Sequence, residues 1–163
     1  MENPNLQDIP NYDNYKFDKV LLQVYNNRTN TYLKNSLCGC YYRVALYKNG
    51  IREDFSIHKL VYMLHNPNED LTGFQLDHID RNSLNNNISN LRKCTRSDNQ
   101  SNRTYKNNIS TGYKYITKTE YGYKFQLTKN KISYQKYFKK LEDAIAYRDI
   151  KVKEICGEFA NLG

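Results

Sequence analysis

The chain is 163 residues long, with a formal net charge of +8 and a sequence pI near 9.2. A chain of this length holds one ordinary domain or a few small ones, and its positive charge favours a polyanionic partner, first of all a nucleic acid. No apolar run approaches the roughly 18–20 residues that a membrane-spanning helix requires, so the sequence excludes such a helix.

The positive charge is concentrated towards the C-terminal end of the chain. Residues 1–99 have a net charge of +1, whereas residues 100–163 have a net charge of +7. The surface that meets a polyanion is therefore expected in the C-terminal third, and any chemistry in the first two thirds lies in a nearly neutral part of the chain.

The N-terminus and the cysteines indicate the compartment. Residues 1–5 are acidic and polar, so they are not expected to be a secretion signal. Of the four cysteines only Cys38 and Cys40 are close together, and no second pair stands at zinc-ligand spacing. We therefore expect reduced, buried thiols in a cytoplasmic protein, with a structural zinc site as the less favoured alternative.

Residues 1–55 predict a small antiparallel sheet. Residues 1–14 are polar and predict a loosely held lead-in. The apolar segment 20–25 and the alternating segment 41–47 both predict strands. Lys48-Asn49-Gly50 predicts a tight hairpin turn into the next strand.

A helix is predicted immediately after this sheet. Apolar residues within 57–65 fall on one side of a helix, Ser56 is placed to cap it, and Asn66-Pro67 ends it. His58 lies at the start of that apolar helix. We interpret it as a packed, hydrogen-bonded structural residue, with a direct catalytic role as the less favoured alternative.

Two short strands and a second helix are predicted next. The strands cover about residues 74–79 and 91–95, and an Asn-rich polar loop lies between them. Thr95 or Ser97 then caps the second helix. The first of these strands ends in an aspartate followed by a histidine, whose side chains point to opposite faces because they are adjacent in a strand.

This acid and imidazole, together with two of the following asparagines, suit phosphodiester hydrolysis. A neutral imidazole at His78 can prepare a water molecule at physiological pH. Asp77 and the amide oxygen of Asn99 are oxygen ligands of the kind that Mg²⁺ or Mn²⁺ prefers. An amide at Asn90 can hold the imidazole in one tautomer. We predict His78 and Asn90 as catalytic residues, and Asp77 and Asn99 as ligands of one divalent metal ion.

The motif resembles a known family. Asp77-His78-Ile79-Asp80, the Asn-rich loop, Ser89-Asn90-Leu91-Arg92 and Ser97-Asp98-Asn99-Gln100 are similar to the HNH endonucleases, in particular the phage and intron homing endonucleases in which the last His of the name is replaced by Asn. The resemblance implies a ββα-metal core in which His78 is the general base, Asp77 and Asn99 bind the metal, and Asn90 orients the base. The competing interpretation is an ordinary Asx-type turn with no chemistry.

A basic sheet and a long helix are predicted at the C-terminal end. Strands are expected over 113–119, 123–129 and 132–138, and a helix over 141–156. The interval 114–140 contains eight lysines and one acidic residue. We predict that the DNA-contacting residues are Lys114, Lys118, Lys124, Gln126, Lys129, Lys131 and Lys136, with Arg103 from the preceding helix. The competing interpretation is a solvated outer face that resists edge aggregation.

This C-terminal segment also resembles a family, the DNA-binding domain of plant ethylene-response factors. The matching residues include Gly112-Tyr113-Lys114-Tyr115-Ile116, Tyr123-Lys124-Phe125-Gln126-Leu127 and Gly157-Glu158-Phe159-Ala160. The resemblance implies a three-stranded sheet that lies in the major groove. Tyr123 stands where that family has Trp, so individual base contacts do not transfer.

Together these patterns predict an α+β protein with three modules: an N-terminal sheet (1–55), a ββα-metal core (56–105) and a sheet with one helix (106–163). The predicted function is metal-dependent cleavage of double-stranded DNA by a monomer or homodimer without a membrane role. The resemblance implies a phage or mobile-element protein acting in the cytoplasm of its host. The alternatives are a non-catalytic DNA-binding protein derived from such a nuclease and a short-site restriction-type nuclease.

Overall fold

The computed structural model describes residues 3–104 and 110–163. They adopt an α+β fold, which confirms the predicted class. The strands are β1 (Leu6–Asp8), β2 (Tyr15–Asp18), β3 (Gln23–Asn26), β4 (Thr31–Tyr32), β5 (Ser36–Cys38), β6 (Tyr41–Lys48), β7 (Ile51–Ser56), β8 (Gln75–His78), β9 (Leu91–Cys94), β10 (Ile116–Thr119), β11 (Gly122–Lys129) and β12 (Ile132–Phe138). The helices are α1 (Ile57–His65), α2 (Arg96–Asn102) and α3 (Leu141–Cys156). Within these described ranges, no helix is long and apolar enough to span a membrane.

The described chain divides into two compact units. The first contains the residues up to Thr72 and His78–Lys93, and the second contains Gly73–Asp77 and the residues from Cys94 onward. The three modules expected from the sequence stay a prediction. The sequence of residues 105–112 also predicts a linker, and residues 105–109 of it lie outside the described residues.

Two antiparallel sheets and α1 build the first unit. One sheet has the order β1-β2-β3-β4 and the other the order β5-β6-β7. Asn49 and Gly50, at the turn between β6 and β7, have positive φ angles of 52° and 78°, as the predicted tight hairpin requires. α1 spans the predicted residues and packs on β6 and β7, although Ser56 at its start makes no side-chain cap hydrogen bond.

The start of the chain is more ordered than the sequence indicated. The prediction that residues 1–14 are loosely held is wrong for the residues of β1, because β1 pairs in antiparallel register with β2. The strand predicted over 20–25 begins later, because the Asp18 carboxylate accepts the backbone N–H groups of Val20 and Leu21 at 2.9 Å each and turns the chain there.

β8 and β9 form a two-stranded sheet, and α2 follows β9 along the chain. Thr95, and not Ser97, caps α2. Thr95 Oγ1 accepts the Asp98 N–H at 3.2 Å, and the Asp98 carboxylate accepts the Thr95 N–H at 3.1 Å, so the pair forms a capping box. The helix ends at Asn102, so Arg103 lies just beyond it and not within it as predicted.

The C-terminal part of the second unit is a three-stranded antiparallel sheet followed by α3. The strand order is β10-β11-β12, and all three strands lie close to their predicted positions. Phe125 and Leu127 from β11 pack with Val152 and Cys156 from α3 in one buried cluster. α3 also spans its predicted residues, and Gly157 follows it with a positive φ of 54°.

The cysteines divide by burial. Cys94 and Cys156 are buried, as predicted, whereas Cys38 and Cys40 are exposed. The prediction of buried thiols is therefore wrong for the Cys38 and Cys40 pair, which lies on β5 and in the turn that follows it.

Candidate functional site

Asp77 and His78 end β8, and both are buried despite their polarity. Only 5% of Asp77 and 6% of His78 is exposed. Buried polar side chains require hydrogen-bonding partners, and the two residues find theirs in different compact units, His78 in the first and Asp77 in the second.

His78 lies among aromatic and amide side chains of the first unit. Its Nε2 atom is 3.4 Å from Asn86 Oδ1. Its ring centroid lies 5.4 Å from that of His58 and 6.1 Å from that of Tyr41. Because an amide oxygen only accepts hydrogen bonds, the contact with Asn86 favours the tautomer that carries its proton on Nε2 and its lone pair on Nδ1.

His58 is the second buried imidazole of this cluster. It comes from the first turn of α1 and stacks at 4.9 Å, in a tilted arrangement, against Tyr41. Burial, followed by electrostatic interactions with His78, Lys59 and Arg43, lowers the pKa of His58 to about 4. Among the described residues its Nδ1 atom has no hydrogen-bond partner. The prediction of a packed His58 is confirmed, but the prediction that it is hydrogen-bonded is wrong for Nδ1.

Asn90 holds the loop that follows His78. Its Oδ1 accepts the Asp80 N–H at 3.0 Å, and its Nδ2 donates to Asp80 Oδ1 at 2.9 Å and to the Asn85 carbonyl at 2.8 Å. Hydrogen bonds from the Asn85 side chain, from the Asn82 N–H and from Asn90 lower the pKa of Asp80 against the effect of burial. The amide that bonds to the imidazole is therefore that of Asn86, and Asn90 acts on the same loop.

In the second unit, two hydrogen-bonded rungs join a face of β8 to a face of α2. Gln75 and Asp77 share one face of the strand, and Asn99 and Asn102 share one face of the helix. Asn99 Nδ2 donates to Gln75 Oε1 at 2.8 Å. Asn102 Nδ2 donates to both carboxylate oxygens of Asp77, at 3.0 and 2.9 Å. Asp77 and Asn99 therefore belong to neighbouring hydrogen-bonded pairs between β8 and α2.

The donor set on these rungs suits a hard divalent cation. The bond to Gln75 uses the Nδ2 of Asn99, so its Oδ1 is the atom that can serve as a ligand. Asp77 adds a carboxylate whose orientation Asn102 fixes. Within the described ranges, no group of three or more His, Cys, Asp or Glu side chains is placed to hold a metal ion. A divalent ion held at these two pairs would take the amide oxygen of Asn99 as well as the carboxylate of Asp77.

The predicted DNA-contacting residues fall into two groups. Lys114 and Lys129 are buried, with 3% and 7% exposed, and their ammonium groups bind atoms of α2 or of the residue that follows it. Lys124 and Gln126 alternate with the buried Phe125 and therefore lie on the outer face of the sheet. The other predicted residues are exposed: Lys118, Lys131, Lys136 and Arg103.

Sequence reasoning missed two side chains of this region. Asn86 was indistinguishable from other asparagines in a chain with so many of them, and Tyr41 was placed only in a strand. The sequence does predict Asn102 on the helix face of Asn99, either near the scissile phosphate or in solvent; the solvated alternative is wrong, because Asn102 is buried and binds Asp77. The buried position of Lys129 did have a signal. The period-two alternation that buries Phe125 and Leu127 in β11 also buries Lys129.

Comparisons with known proteins converge on one family. A family model described as HNH endonuclease matches residues 55–101. The matched segment contains α1, β8 and β9 and all but the last residue of α2. It therefore includes His58, Asp77, His78 and Asn99.

Two similar proteins come from Acanthamoeba polyphaga mimivirus. The chain is 36% identical to the uncharacterized HNH endonuclease L245 over 95 residues, which are 58% of this chain and 28% of that protein. It is 33% identical to the uncharacterized HNH endonuclease L560 over 105 residues, which are 64% of this chain and 54% of that protein. The chain thus spans about half or less of the length of these relatives.

A solved structure with a similar fold is that of the HNH homing endonuclease I-HmuI, described as showing DNA binding and cleavage. The TM-score is 0.55 at 23% sequence identity, and the alignment covers 94% of this chain and 88% of that chain. Similarity at this identity shows the fold, and it agrees with the α+β class.

Proposed function

Residues 55–101 are a segment of the HNH endonuclease type, and from this premise we propose that the protein is a homing-type endonuclease that hydrolyses phosphodiester bonds of double-stranded DNA. The observation that carries the proposal is the pair of consecutive buried residues Asp77 and His78, each held by amide side chains. Burying an acid and an imidazole costs stability unless both are hydrogen-bonded. Buried titratable groups that are held in this way are typical of functional sites.

His78 is the proposed general base. Its Nε2 atom lies 3.4 Å from Asn86 Oδ1, and a neutral imidazole at this position can take a proton from the attacking water. Asn86 orients the imidazole directly. Asn90, predicted from the sequence for that task, supports it by holding the loop through Asp80 and Asn85.

Asp77 and Asn99 are the proposed holders of one divalent ion, Mg²⁺ or Mn²⁺. When bound, such an ion offsets negative charge on the phosphate and on the leaving oxygen. Asn102 keeps both Asp77 oxygens in one orientation. Gln75 holds the Nδ2 of Asn99, so that the oxygen of the amide is presented and not its nitrogen.

The proposed DNA-binding surface consists of the solvent-accessible members of the predicted DNA-contacting residues. Lys124 and Gln126 lie on the outer face of the C-terminal sheet, and Lys118, Lys131, Lys136 and Arg103 are exposed. Their cationic groups suit phosphates, and the Gln126 amide suits a base edge. Lys114 and Lys129 are not proposed as DNA contacts, because they are buried.

A plasmid assay tests the endonuclease proposal. Supercoiled plasmid incubated with the full chain and Mg²⁺ or Mn²⁺ should become nicked, because one such site per chain cuts one strand unless two chains cooperate. His78→Ala should cut at least about 100-fold more slowly and bind DNA normally. His65→Ala, the same change at an exposed histidine of α1, is the matched control and should cut normally.

Two outcomes would contradict the proposal. A wild-type chain that binds the plasmid and leaves it closed would favour a non-catalytic DNA-binding protein. Normal cutting by His78→Ala would remove His78 as the base. Mapping the cut sites on a random DNA library separates a long homing site from a short restriction site.

A further inference from the structure

Three buried side chains near the C-terminal end of the chain bind the helix that carries Asn99. They are Lys114, Lys129 and Asn161, and they lie in the same compact unit as α2. A buried lysine is costly unless its charge is partnered. The partners of these two lysines show which task their burial serves.

Two of these side chains bind carbonyl groups at the C-terminal end of α2. Lys114 Nζ donates to the Ser101 carbonyl at 2.7 Å and to the Arg103 carbonyl at 2.8 Å. Asn161 Nδ2 donates to the Asn102 carbonyl at 2.7 Å. The last carbonyls of a helix have no partners within the helix, and a cation there also meets the negative end of the helix dipole.

The remaining lysine binds the first turn of α2. Lys129 forms an ion pair with Asp98, the residue that completes the capping box, and its Nζ lies 3.4 Å from Ser101 Oγ. The neighbouring Asn130 N–H donates to Ser97 Oγ at 3.2 Å. The turn between β11 and β12 therefore holds the beginning of α2, as Lys114 and Asn161 hold its end.

The position of α2 needs such contacts because the helix is short. It has 7 residues, whereas isolated helices shorter than about 12–15 residues are marginal in water. Its other face carries Asn99 and Asn102, which bind Gln75 and Asp77. Metal–ligand distances tolerate errors of only about 0.2 Å, so a small displacement of α2 would misplace the amide oxygen of Asn99.

We propose that Lys114 and Lys129 are positioning residues of the metal site and not DNA contacts. By holding α2 at both ends, they set where Asn99 presents its oxygen and how Asn102 orients Asp77. The inference rests on the proposed metal role of Asp77 and Asn99. It makes the end of β11 and the residues just before β10 supports of the proposed metal site, separate from the proposed DNA-contacting face of the sheet.

The test uses Lys114→Met and Lys129→Met in the full chain, which remove the ammonium group and keep the side-chain length. Lys153→Met, at an exposed position of α3, is the matched control for the loss of charge. Mn²⁺ binding to the DNA-free protein is measured by electron paramagnetic resonance, DNA affinity by fluorescence anisotropy in EDTA, and folding by thermal melting. Both buried-lysine variants should bind Mn²⁺ about 10-fold more weakly than the control and bind DNA with the affinity of the control.

A folded variant that keeps its Mn²⁺ affinity overturns the inference, and so does one that loses DNA affinity alone. If a methionine variant does not fold, Lys114→Gln or Lys129→Gln is measured with the same outcomes, because the glutamine amide is uncharged and one bond too short to reach the α2 acceptors of the lysine. Mn²⁺ binding that survives Asp77→Ala would overturn the metal role itself. A wild-type chain that binds Mn²⁺ through Asp77 and leaves plasmid intact would overturn only the endonuclease proposal.

Discussion

At the scale of single residues, amide groups carry much of the geometry of the site. Asn102 donates to both oxygens of Asp77, and its own carbonyl is held by Asn161. Asn86 bonds to the imidazole of His78. The sequence places Asn102 on the helix face of Asn99 but does not single out Asn86 or Asn161, because 22 of the 163 residues are Asn. Their roles depend on which backbone positions meet in space, and that is fixed by strand pairing and helix packing.

Asn102→Ala should weaken divalent metal binding by about 10-fold, because the Asp77 carboxylate loses the donor that orients it. The measurement is a Mn²⁺ titration of the DNA-free protein. Asn68→Ala, at an exposed position of a loop, is the matched control and should leave the titration unchanged. Equal Mn²⁺ affinity in both variants would mean that Asn102 does not orient Asp77.

The buried His58 should make stability depend on pH. Burial and nearby positive charges lower its pKa from 6.5 to about 4. As pH falls from 6.5 towards 4, the unfolded chain takes up a proton at this imidazole that the folded chain does not, so stability is lost across that window. His58→Gln cannot titrate there. The free-energy difference between wild type and His58→Gln should therefore be largest near neutral pH and shrink towards pH 4.

Urea unfolding at a series of pH values measures this difference. His65→Gln, at the exposed end of α1, is the control for a general effect of removing an imidazole. A difference between wild type and His58→Gln that is constant from pH 7 to about 4 would show that His58 titrates alike in the folded and unfolded chain.

At the scale of elements, the segments with strong local patterns were predictable. α1 and α3 follow from apolar periodicity and end signals, and the turn between β6 and β7 follows from Asn49-Gly50. The failures have tertiary causes. β1 was missed because its polar sequence forms a strand only by pairing with β2. Arg103 was placed inside α2 because no local sequence signal marks the end of that helix.

Gly122 fixes the approach of β11 to the end of β12. Its φ is +145°, and a Cβ atom there would lie 2.2 Å from the Phe138 carbonyl oxygen. Gly122→Ala should therefore lower the free energy of unfolding by about 1–3 kcal/mol more than a glycine replacement without a clash. Gly112→Ala is that control, since its φ is also positive, at +77°, and its Cβ would meet nothing within 4 Å. Urea denaturation compares the two variants, and equal losses would contradict the expected clash.

At the scale of the whole molecule, only part of the positive charge in the C-terminal third is available for the proposed DNA contacts. The C-terminal excess of positive charge was evident from composition. Composition could not show that the ammonium groups of Lys114 and Lys129 bind α2, because a lysine stem fits a buried or an exposed site equally well. The basic surface is therefore smaller than the sequence suggests, and it consists of the exposed lysines and Arg103.

The salt dependence of DNA binding should report this division. Replacing Lys124 or Lys131 by Met should reduce the slope of log affinity against log salt by about one, because one phosphate contact is lost. Lys114→Met should leave the slope at its wild-type value. The slopes come from anisotropy titrations in EDTA at several salt concentrations. A slope that falls for Lys114→Met and not for Lys124→Met would reverse the assignment.

The attachment of α2 also limits how this chain can be recombined. The family match ends at residue 101, but the side chains that hold α2 come from positions 114, 129 and 161. A chimera joined between residues 101 and 114 would keep Asn99, the proposed metal ligand, without the side chains that hold its helix. Exchange of the C-terminal segment is therefore expected to preserve the proposed cleavage only if the new segment supplies a lysine or an equivalent donor to both ends of that helix.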